Sequence, residues 1–377
     1  MLALALATLA GGGAWWWHAR RRPRPPGAVT ALLRDGEHNE GFERVLGPRP
    51  FEFPRDHAAH PGFRHEWWYV TGHLADDARL EYGFQVTFFR YALTPRAPAS
   101  PSHWRSRDIV LAHFALTDPQ AGRFHHATRR ARAALDLAGA DEDVPRVWIR
   151  DWLLALDGQD ARRWRLHAEA RDHALDLTLS AVKPVVLQGD RGYSRKSDAA
   201  GNASHYYSVP RLSVAGSARV GVKTQPVQGE AWLDREWGTS ALGATQRGWD
   251  WFALQLDDGR ELTFYRLRDI AGNSDPHSRG LLIDSGGAAA ALGADAVTLE
   301  PRRWWRSPRT GIDYPVDWRV RIPSAGLELE LRARVDAQEW TEELRYWEGQ
   351  VEVRGRDGGT AITGLGYLEM TGYEGAV

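Results

Sequence analysis

Residues 65–74 read HEWWYVTGHL, the turn DDAR follows at 76–79, and a second apolar run covers 80–85. Aromatic and β-branched residues on both sides of an Asp-rich turn are typical of a β-hairpin. The same unit recurs about 180 residues later, where WDWFALQL at 249–256 leads through DDGR at 257–260 into another aromatic run. Two copies of one hairpin unit predict two related antiparallel β-barrels in tandem.

The rest of the chain is also predicted to be all-β. Short alternating runs are cut by Gly, Pro and Asp, and sustained helical periodicity is scarce. Residues 127–137 fit either one helix or an edge strand, and the Gly/Ser/Thr-rich stretch 238–248 is the expected boundary between the barrels. The clearest predicted strands are Trp67–Leu74, Glu81–Tyr91, Ile109–Thr117, Trp164–Ala170, Gln228–Leu233, Trp249–Leu256, Glu261–Leu267, Val316–Arg321, Leu327–Val335 and Gly349–Arg354.

Composition excludes several classes of protein. The 377 residues are 43% hydrophobic and 26% charged, which is ordinary for a globular chain of about two domains. Basic and acidic side chains number 48 and 49, so no overall basic field is available to hold nucleic acid. Zero cysteines exclude disulfides, zinc thiolate sites and thiol catalysis, whereas 18 tryptophans favour aromatic-walled clefts or thick aromatic cores.

The first 26 residues differ from the rest. Residues 2–17 are uncharged and mostly apolar, and an Arg/Pro-rich segment follows them. This run is shorter than the ~20 residues that span a bilayer and lacks the basic start of a secretory signal. We nevertheless favour an export signal or membrane anchor over a structural segment. The expected domains are then a linker at 27–50 and barrels at 51–240 and 245–377, in an exported, periplasmic or membrane-anchored monomer.

The segment 65–69 places titratable groups among aromatic ones. On an extended strand, His65, Trp67 and Tyr69 share one face, and Glu66 and Trp68 share the other. A carboxyl group among indoles is expected to have a raised pKa and to be a usable proton donor. The alternative is a surface Glu66 paired with an arginine.

Charge is concentrated again in Asp234-Arg235-Glu236-Trp237-Gly238. Asp234 and Glu236 are two residues apart, so on a strand both carboxyls face the same way and one is expected to stay protonated. The motif predicts either an acid/base pair or a salt-bridged corner between the domains.

The second hairpin unit carries a further acid. Asp250 shares a strand face with Phe252 and Leu254, which makes it either a buried acid or the residue before the strand enters the core. Trp249, Trp251 and Tyr265 are candidate ligand-binding aromatics around it.

Metal and cofactor sites are not predicted. His57, His60 and His65 lie on a Pro/Gly-containing loop, and His125-His126 is a doublet without a clear third ligand. The sequence has no phosphate-binding glycine loop and no Gly-x-Ser-x-Gly nucleophile elbow.

Several segments, in this order, resemble the AttH-like / carotenoid 1,2-hydratase family of lipocalin-like proteins. The matching stretches are 53–57, 65–72, 84–90, 192–194, 234–238 and 248–251. The resemblance covers about residues 50–377 and implies two tandem lipocalin-like antiparallel β-barrels. Family members are usually labelled secreted hydrolases, and characterised relatives include cofactor-free hydratases. The residues carried over are Glu66, Trp67, Trp68, Asp234, Glu236, Trp237, Trp249 and Asp250.

Two functional hypotheses follow from the motifs and the resemblance. In the first, the protein is a cofactor-independent hydratase of an isoprenoid or other polyene. Asp234, Glu236 or Asp250 protonates a double bond, tryptophan faces stabilise the cation, and a second carboxylate or His65 holds the water. In the second, it is an exported, non-catalytic carrier of a lipid or hydrophobic metabolite that serves an envelope ABC transporter. The tryptophans, Trp68 and Trp237 among them, would then line a cavity, and Asp234-Arg235-Glu236 would only fix the domain interface.

Overall fold

The computed structural model describes residues 39–97, 99, 102–158, 160–342 and 344–374. The predicted export signal or anchor and most of the predicted linker lie outside these residues. Within them, no helix is long and apolar enough to cross a bilayer.

The described residues form an all-β protein with two antiparallel sheets. The first sheet contains strands β1 to β13, at His65–Asp76, Glu81–Ala92, Asp108–Asp118, Arg123–Arg132, Ala138–Ala140, Arg146–Ile149, Trp152–Asp157, Asp160–Glu169, His173–Ala181, Val186–Leu187, Tyr193–Arg195, Ala203–Val220 and Lys223–Gly238. The second contains β14 to β23, at Gln246–Leu256, Glu261–Asp269, Arg279–Ile283, Ala289–Gly293, Thr298–Arg306, Asp313–Ile322, Leu327–Ala333, Glu339–Thr341, Arg345–Asp357 and Thr360–Thr371. Short 3₁₀ helices occur at Arg55–His57, Ala294–Ala296 and Pro323–Ala325.

Both sheets use the same closing topology. The main path of the first runs β4-β3-β2-β1-β13-β12-β9-β8-β7-β6-β5, and that of the second runs β17-β16-β15-β14-β23-β22-β20-β19-β18. In each sheet, the first strand therefore pairs with both the second and the last strand. The two predicted hairpin units are β1–β2 and β14–β15. The prediction of two tandem antiparallel barrels is confirmed, with one nearly closed barrel and one half-barrel.

Two local expectations are settled by the strand bounds. The helix alternative for 127–137 is wrong, because Arg123–Arg132 forms the edge strand β4. The motif at 234–238 is not a corner, because β13 continues through it to Gly238, although Arg235 and Glu236 are both ion-paired as that alternative expected. A long β13 keeps all five motif residues in register with β1 and therefore fixes which face each one occupies.

Each sheet has an inward face that fills its own barrel, and part of its outward face meets the other sheet. Trp68, Val70, Leu233 and Trp237 belong to the core of the first barrel, and Phe252 with Leu254 belongs to that of the second. A third cluster joins outward-facing aromatics from both sheets, including Tyr69, Tyr206, Trp232, Trp251 and Tyr265. The two barrels thus pack through an aromatic face.

Candidate active site between the two barrels

The two charged motifs lie side by side at the centre of the first sheet. Strands β1 and β13 pair with Tyr69 opposite Asp234 and Trp67 opposite Glu236. All four side chains point outward, toward the second barrel. There, Trp251 of β14 stands opposite Glu369 of β23.

These outward faces enclose a cleft of about 210 Å³. Its polar groups include Asp234, Glu236, Lys196 and Glu369, and Arg247 and Arg345 also border it. The aromatic side chains that line it are Trp67, Tyr69, Phe89, Tyr206, Trp249, Trp251, Tyr265 and Tyr346. A mostly apolar cavity with a few convergent polar groups is the usual form of a small-molecule site.

Asp234 is buried at the centre of this cleft among neutral hydrogen-bond donors. The hydroxyls of Tyr206 and Ser208 donate to its two oxygens at 2.5 Å each, and the Trp232 indole donates at 2.6 Å. Burial raises the pKa of Asp234 to about 7, against the lowering effect of those three hydrogen bonds, and nearby Glu236 adds to the rise. Asp234 can therefore both donate and accept a proton near neutrality.

Glu236 has a cationic partner, unlike Asp234. The Lys196 ammonium lies 2.8 Å from its carboxylate, and the Ser204 hydroxyl donates to the same oxygen. Burial alone would lower the pKa of Lys196, but the Glu236 carboxylate outweighs this effect and the pKa is raised. The pair is consequently charged, and Glu236 serves to hold a buried cation in the cleft.

The second barrel contributes a pair of glutamates. Glu348 and Glu369 are cross-strand partners on β22 and β23. The Trp249 indole donates to Glu369 at 2.7 Å, and the Tyr69 hydroxyl donates to Glu348 at 2.6 Å. Burial raises the pKa of Glu369 to about 7, and burial together with the Glu369 charge raises that of Glu348 well above its usual range. Two adjacent carboxyls without a cation hold a proton between them.

Glu66 lies on the opposite, inward face and has a different role from the one expected. Its carboxylate is ion-paired with Arg235 at 2.7 Å and with Arg90 at 3.2 Å, and the His60 ring bonds to it at 2.8 Å. Burial opposes ionisation, but these neighbours, Arg235 first, hold the pKa of Glu66 well below its usual range. The expectation of a protonated Glu66 is therefore wrong, because the arginines stabilise the carboxylate.

Trp68 and Trp237 belong to this inward network and do not border the cleft. The Arg235 guanidinium lies 3.9 Å from the centre of the Trp68 ring, and the His60 ring stacks on Trp237 at 3.7 Å. Both indoles are almost fully buried in the first barrel. Their predicted ligand-binding role does not fit these positions, because strand alternation turns both side chains away from Trp67. They pack around buried charges instead.

Asp250 is the counterpart of Glu66 in the second barrel. It points inward, pairs with Arg266 at 2.5 Å and Arg268 at 3.2 Å, and accepts a hydrogen bond from Tyr373 at 2.8 Å. The expected catalytic role does not fit this position, since Asp250 does not border the cleft and is neutralised by two arginines.

His65 faces outward but is covered. Its ring stacks on Trp67 at 5.6 Å, and neither ring nitrogen has a hydrogen-bond partner among the described residues. Burial, together with neighbouring cations, lowers the pKa of His65 to about 3. The imidazole is therefore neutral at neutral pH, and it does not border the cleft, so the expected role of holding the water does not fit its position.

Sequence reasoning missed Lys196, Glu348 and Glu369. Lys196 is one of three lysines and follows the family-like stretch 192–194, so its rarity was an available signal. Glu348 ends Tyr346-Trp347-Glu348, a further juxtaposition of aromatics with an acid. Glu369 has no distinguishing neighbour, and only the pairing of β23 with β14 brings it to the cleft.

Two clusters in the described residues could hold a metal ion. His125, Asp172 and His173 form one, and Asp151, His167 and Glu169 form the other. In the first, the two rings bond to opposite oxygens of Asp172 at 2.9 and 2.8 Å, so hydrogen bonding to Asp172 accounts for its geometry. Neither cluster borders the cleft.

The fold and the site define a two-barrel lipocalin-like protein with an acid-lined aromatic cleft between the barrels. The model of the AttH-like family matches residues 44–373, and the chain therefore belongs to that family. A solved AttH from Nitrosomonas europaea is 36% identical, with a TM-score of 0.79, over 88% of this chain and 100% of its own.

Two fungal enzymes are more distant relatives. The dehydratase asqC of Emericella nidulans is 24% identical over 216 residues, covering 55% of this chain and 60% of its own. Kievitone hydratase of Fusarium solani subsp. phaseoli is 23% identical over 230 residues, covering 57% and 62%. The chain thus spans about three fifths of the length of the curated relatives it matches. Kievitone hydratase solved from Nectria haematococca shares the fold, with a TM-score of 0.64 at 14% identity over 92% of this chain and 95% of its own.

Proposed function

We propose that this protein is a hydratase-like enzyme that adds water to an apolar substrate, or removes it, in the cleft between the barrels. One observation carries the proposal: Asp234 and Glu369, from different barrels, face one aromatic cleft, and burial raises the pKa of each to about 7. Relatives named as a hydratase and a dehydratase support this reaction class. The chemistry uses proton transfers only and calls for no cofactor.

The two carboxyls suit a reaction that needs one acid and one base together. The charge of Asp234 contributes to the raised pKa of Glu369, so ionisation of one disfavours ionisation of the other. Near neutrality, the pair therefore favours one protonated and one ionised member. Dehydration requires the same two states as hydration, with the roles exchanged.

The substrate we propose is an isoprenoid or other polyene. The acid donates its proton to one carbon of a C=C bond, and the electron pair of that bond forms the new C–H bond. The other carbon becomes a cation over the faces of Trp67, Trp249 and Trp251, where cation–π attraction contributes about 2 kcal/mol when water is excluded. Water then bonds to that carbon, and the second carboxylate takes its proton.

Substitution of the two carboxyls tests this mechanism. Organic extraction of the purified protein and mass spectrometry identify what the cleft holds, and acyclic isoprenoids serve as the first substrates. Asp234→Asn and Glu369→Gln should each lower kcat by roughly 10²-fold or more, because each removes a general acid or base. Exposed Glu142→Gln is the matched control and should retain full kcat. Full activity in both cleft variants would refute the mechanism.

A carrier is the second candidate, favoured by the apolar walls of the cleft. A stoichiometric, unmodified lipid in the extract, with no turnover in any assay, would support it. With this alternative we also propose that the protein is exported or attached to a membrane through its N-terminus. It would then deliver its ligand to an envelope transporter.

A further inference from the structure

Lys196 is held rigidly at the cleft although it lies outside any regular strand. It follows β11, its backbone N–H donates to Asn202, and its carbonyl accepts from the Gln246 side chain. Its ammonium lies 4.5 Å from the centre of the Tyr265 ring and 5.6 Å from that of Tyr206. A buried lysine fixed at both ends is pre-organised to bind a ligand in one place.

The hydrogen bonds of this ammonium are incomplete in the described part of the protein. Lys196 Nζ has three donors, and the protein acceptors are the Glu236 carboxylate at 2.8 Å and the Ser194 hydroxyl at 3.2 Å. The Tyr265 hydroxyl also bonds to Ser194 at 2.7 Å.

Lys183 provides the contrast. It is the other buried lysine, and its ammonium bonds to Glu261 at 2.7 Å, to the Gly259 carbonyl at 2.5 Å and to the Asp284 carbonyl at 2.6 Å. All three of its donors are therefore used within the protein, and Lys183 does not border the cleft.

The charges around Lys196 select the kind of acceptor. Arg247 and Arg345 also border the cleft, but Arg247 donates to the Gly372 and Glu374 carbonyls and Arg345 is paired with the Glu374 carboxylate at 3.7 Å. Glu236 already neutralises the Lys196 ammonium, and Asp234 and Glu369 add negative charge to the same cleft whenever they ionise. A carboxylate on the ligand would meet these acids and be repelled. A neutral oxygen, such as that of a ketone, accepts the remaining hydrogen bond without this penalty.

We propose that Lys196, oriented by Glu236 and Ser194, forms a polar subsite that binds a neutral carbonyl oxygen of the substrate. This inference rests on the proposed function and narrows it: the substrate is an apolar molecule that carries a ketone, not a pure hydrocarbon. Lys196 is then a specificity-determining residue, and the carbonyl fixes which double bond lies beside Asp234.

Binding of two matched probes tests the subsite without any turnover. The probes are β-ionone, a ketone with an isoprenoid skeleton, and the hydrocarbon in which its carbonyl oxygen is replaced by two hydrogens. Equilibrium dialysis gives both Kd values. We expect the wild type to bind the ketone about tenfold or more tightly than the hydrocarbon, because the oxygen gains a hydrogen bond from a charged donor.

The double variant Lys196→Met/Glu236→Gln removes the ion pair without leaving a buried charge unpaired. It should lose the preference for the ketone and keep its affinity for the hydrocarbon. Lys183→Met is the matched control and should keep the preference even where stability falls. Any of three results would overturn the subsite. These are an unchanged preference for the ketone in the double variant, equal binding of both probes by the wild type, and no binding of the ketone by the wild type.

These outcomes are distinct from failure of the enzyme hypothesis. A subsite that fails while Asp234→Asn abolishes turnover leaves the hydratase intact with a different substrate. If the binding tests confirm the subsite but the protein shows no turnover, the protein is a carrier of ketones.

Discussion

Glu66 and Asp234 are both buried acids on neighbouring strands of one sheet, yet they differ in almost every chemical respect. Glu66 faces inward and has two arginines, which keep the pKa of its carboxyl well below the usual range. Asp234 faces outward among neutral donors, and burial raises its pKa to about 7. Burial by itself therefore does not make a proton donor; the partners decide whether a buried acid is structural or reactive.

The second barrel repeats this division. Asp250 faces inward and is paired with Arg266 and Arg268, whereas Glu369 faces the cleft beside Glu348. In both comparisons, the inward acid neutralises arginines and the outward acid faces a substrate-sized space. The comparison predicts opposite responses of the two faces to substitution and to pH.

Removal of the inward carboxylate should have the largest effect. Glu66→Gln leaves Arg235 buried with its charge uncompensated, whereas Arg90 keeps its ion pair with Asp108 at 2.9 Å. Loss of one partner from a buried ion pair costs roughly 3–5 kcal/mol. Urea unfolding should show this loss in the free energy of unfolding. Glu169→Gln, which breaks an exposed pair with Arg219, is the control and should cost under about 1 kcal/mol. Equal effects of the two substitutions would contradict the structural role of Glu66.

The outward carboxyl should make stability fall as pH rises. Between pH ~4 and pH ~7, native Asp234 retains a proton that the unfolded chain releases, so the free energy of unfolding decreases by up to about 1.4 kcal/mol per pH unit. Glu66 acts in the opposite direction, because its lowered pKa gives stability that is lost as pH falls.

Asp234→Asn removes the contribution of the outward carboxyl to the pH dependence of the free energy of unfolding. Relative to the wild type, this variant should gain stability steadily from pH ~4 to pH ~7, where Asp234 of the wild type ionises. Urea unfolding at a series of pH values measures the difference. A variant whose stability relative to the wild type stays constant over that range would show that Asp234 is ionised in the native protein throughout.

The smallest expected effect concerns the pKa of Glu369. Trp249→Phe removes the indole donor that stabilises the Glu369 carboxylate, so the pKa of Glu369 should rise by about one to two. Carbon-13 NMR of labelled glutamate carboxyls follows this titration directly. Trp67→Phe changes the cleft wall and should leave that pKa in place; a similar rise in both variants would assign the effect to packing instead of the hydrogen bond.

Much of the fold could be predicted from the chain because local signals agree. The repeated hairpin at 65–85 and 249–265, with its Asp-rich turn, marks the start of each sheet, and strand alternation separates Trp67 from Trp68. Alternation also places Asp234 and Glu236 on one face once β13 is known to be a strand.

The site was harder to predict because it depends on pairing between distant strands. Arg235 meets Glu66 across 169 positions of sequence, and no local pattern shows that these two charges cancel. Glu348 and Glu369 face each other only through the β22–β23 register. The sequence predicts which residues share a strand face. The neighbour that raises or lowers the pKa of a buried carboxyl is known only from the tertiary structure.

The aromatic face between the barrels also makes each half dependent on the other. Tyr69, Tyr206 and Trp232 of one sheet are covered by Trp251 and Tyr265 of the other. Either barrel released from its partner would expose this face to water as a large apolar surface that favours aggregation. The packing that forms the cleft therefore also prevents either barrel from existing as a separate, soluble protein.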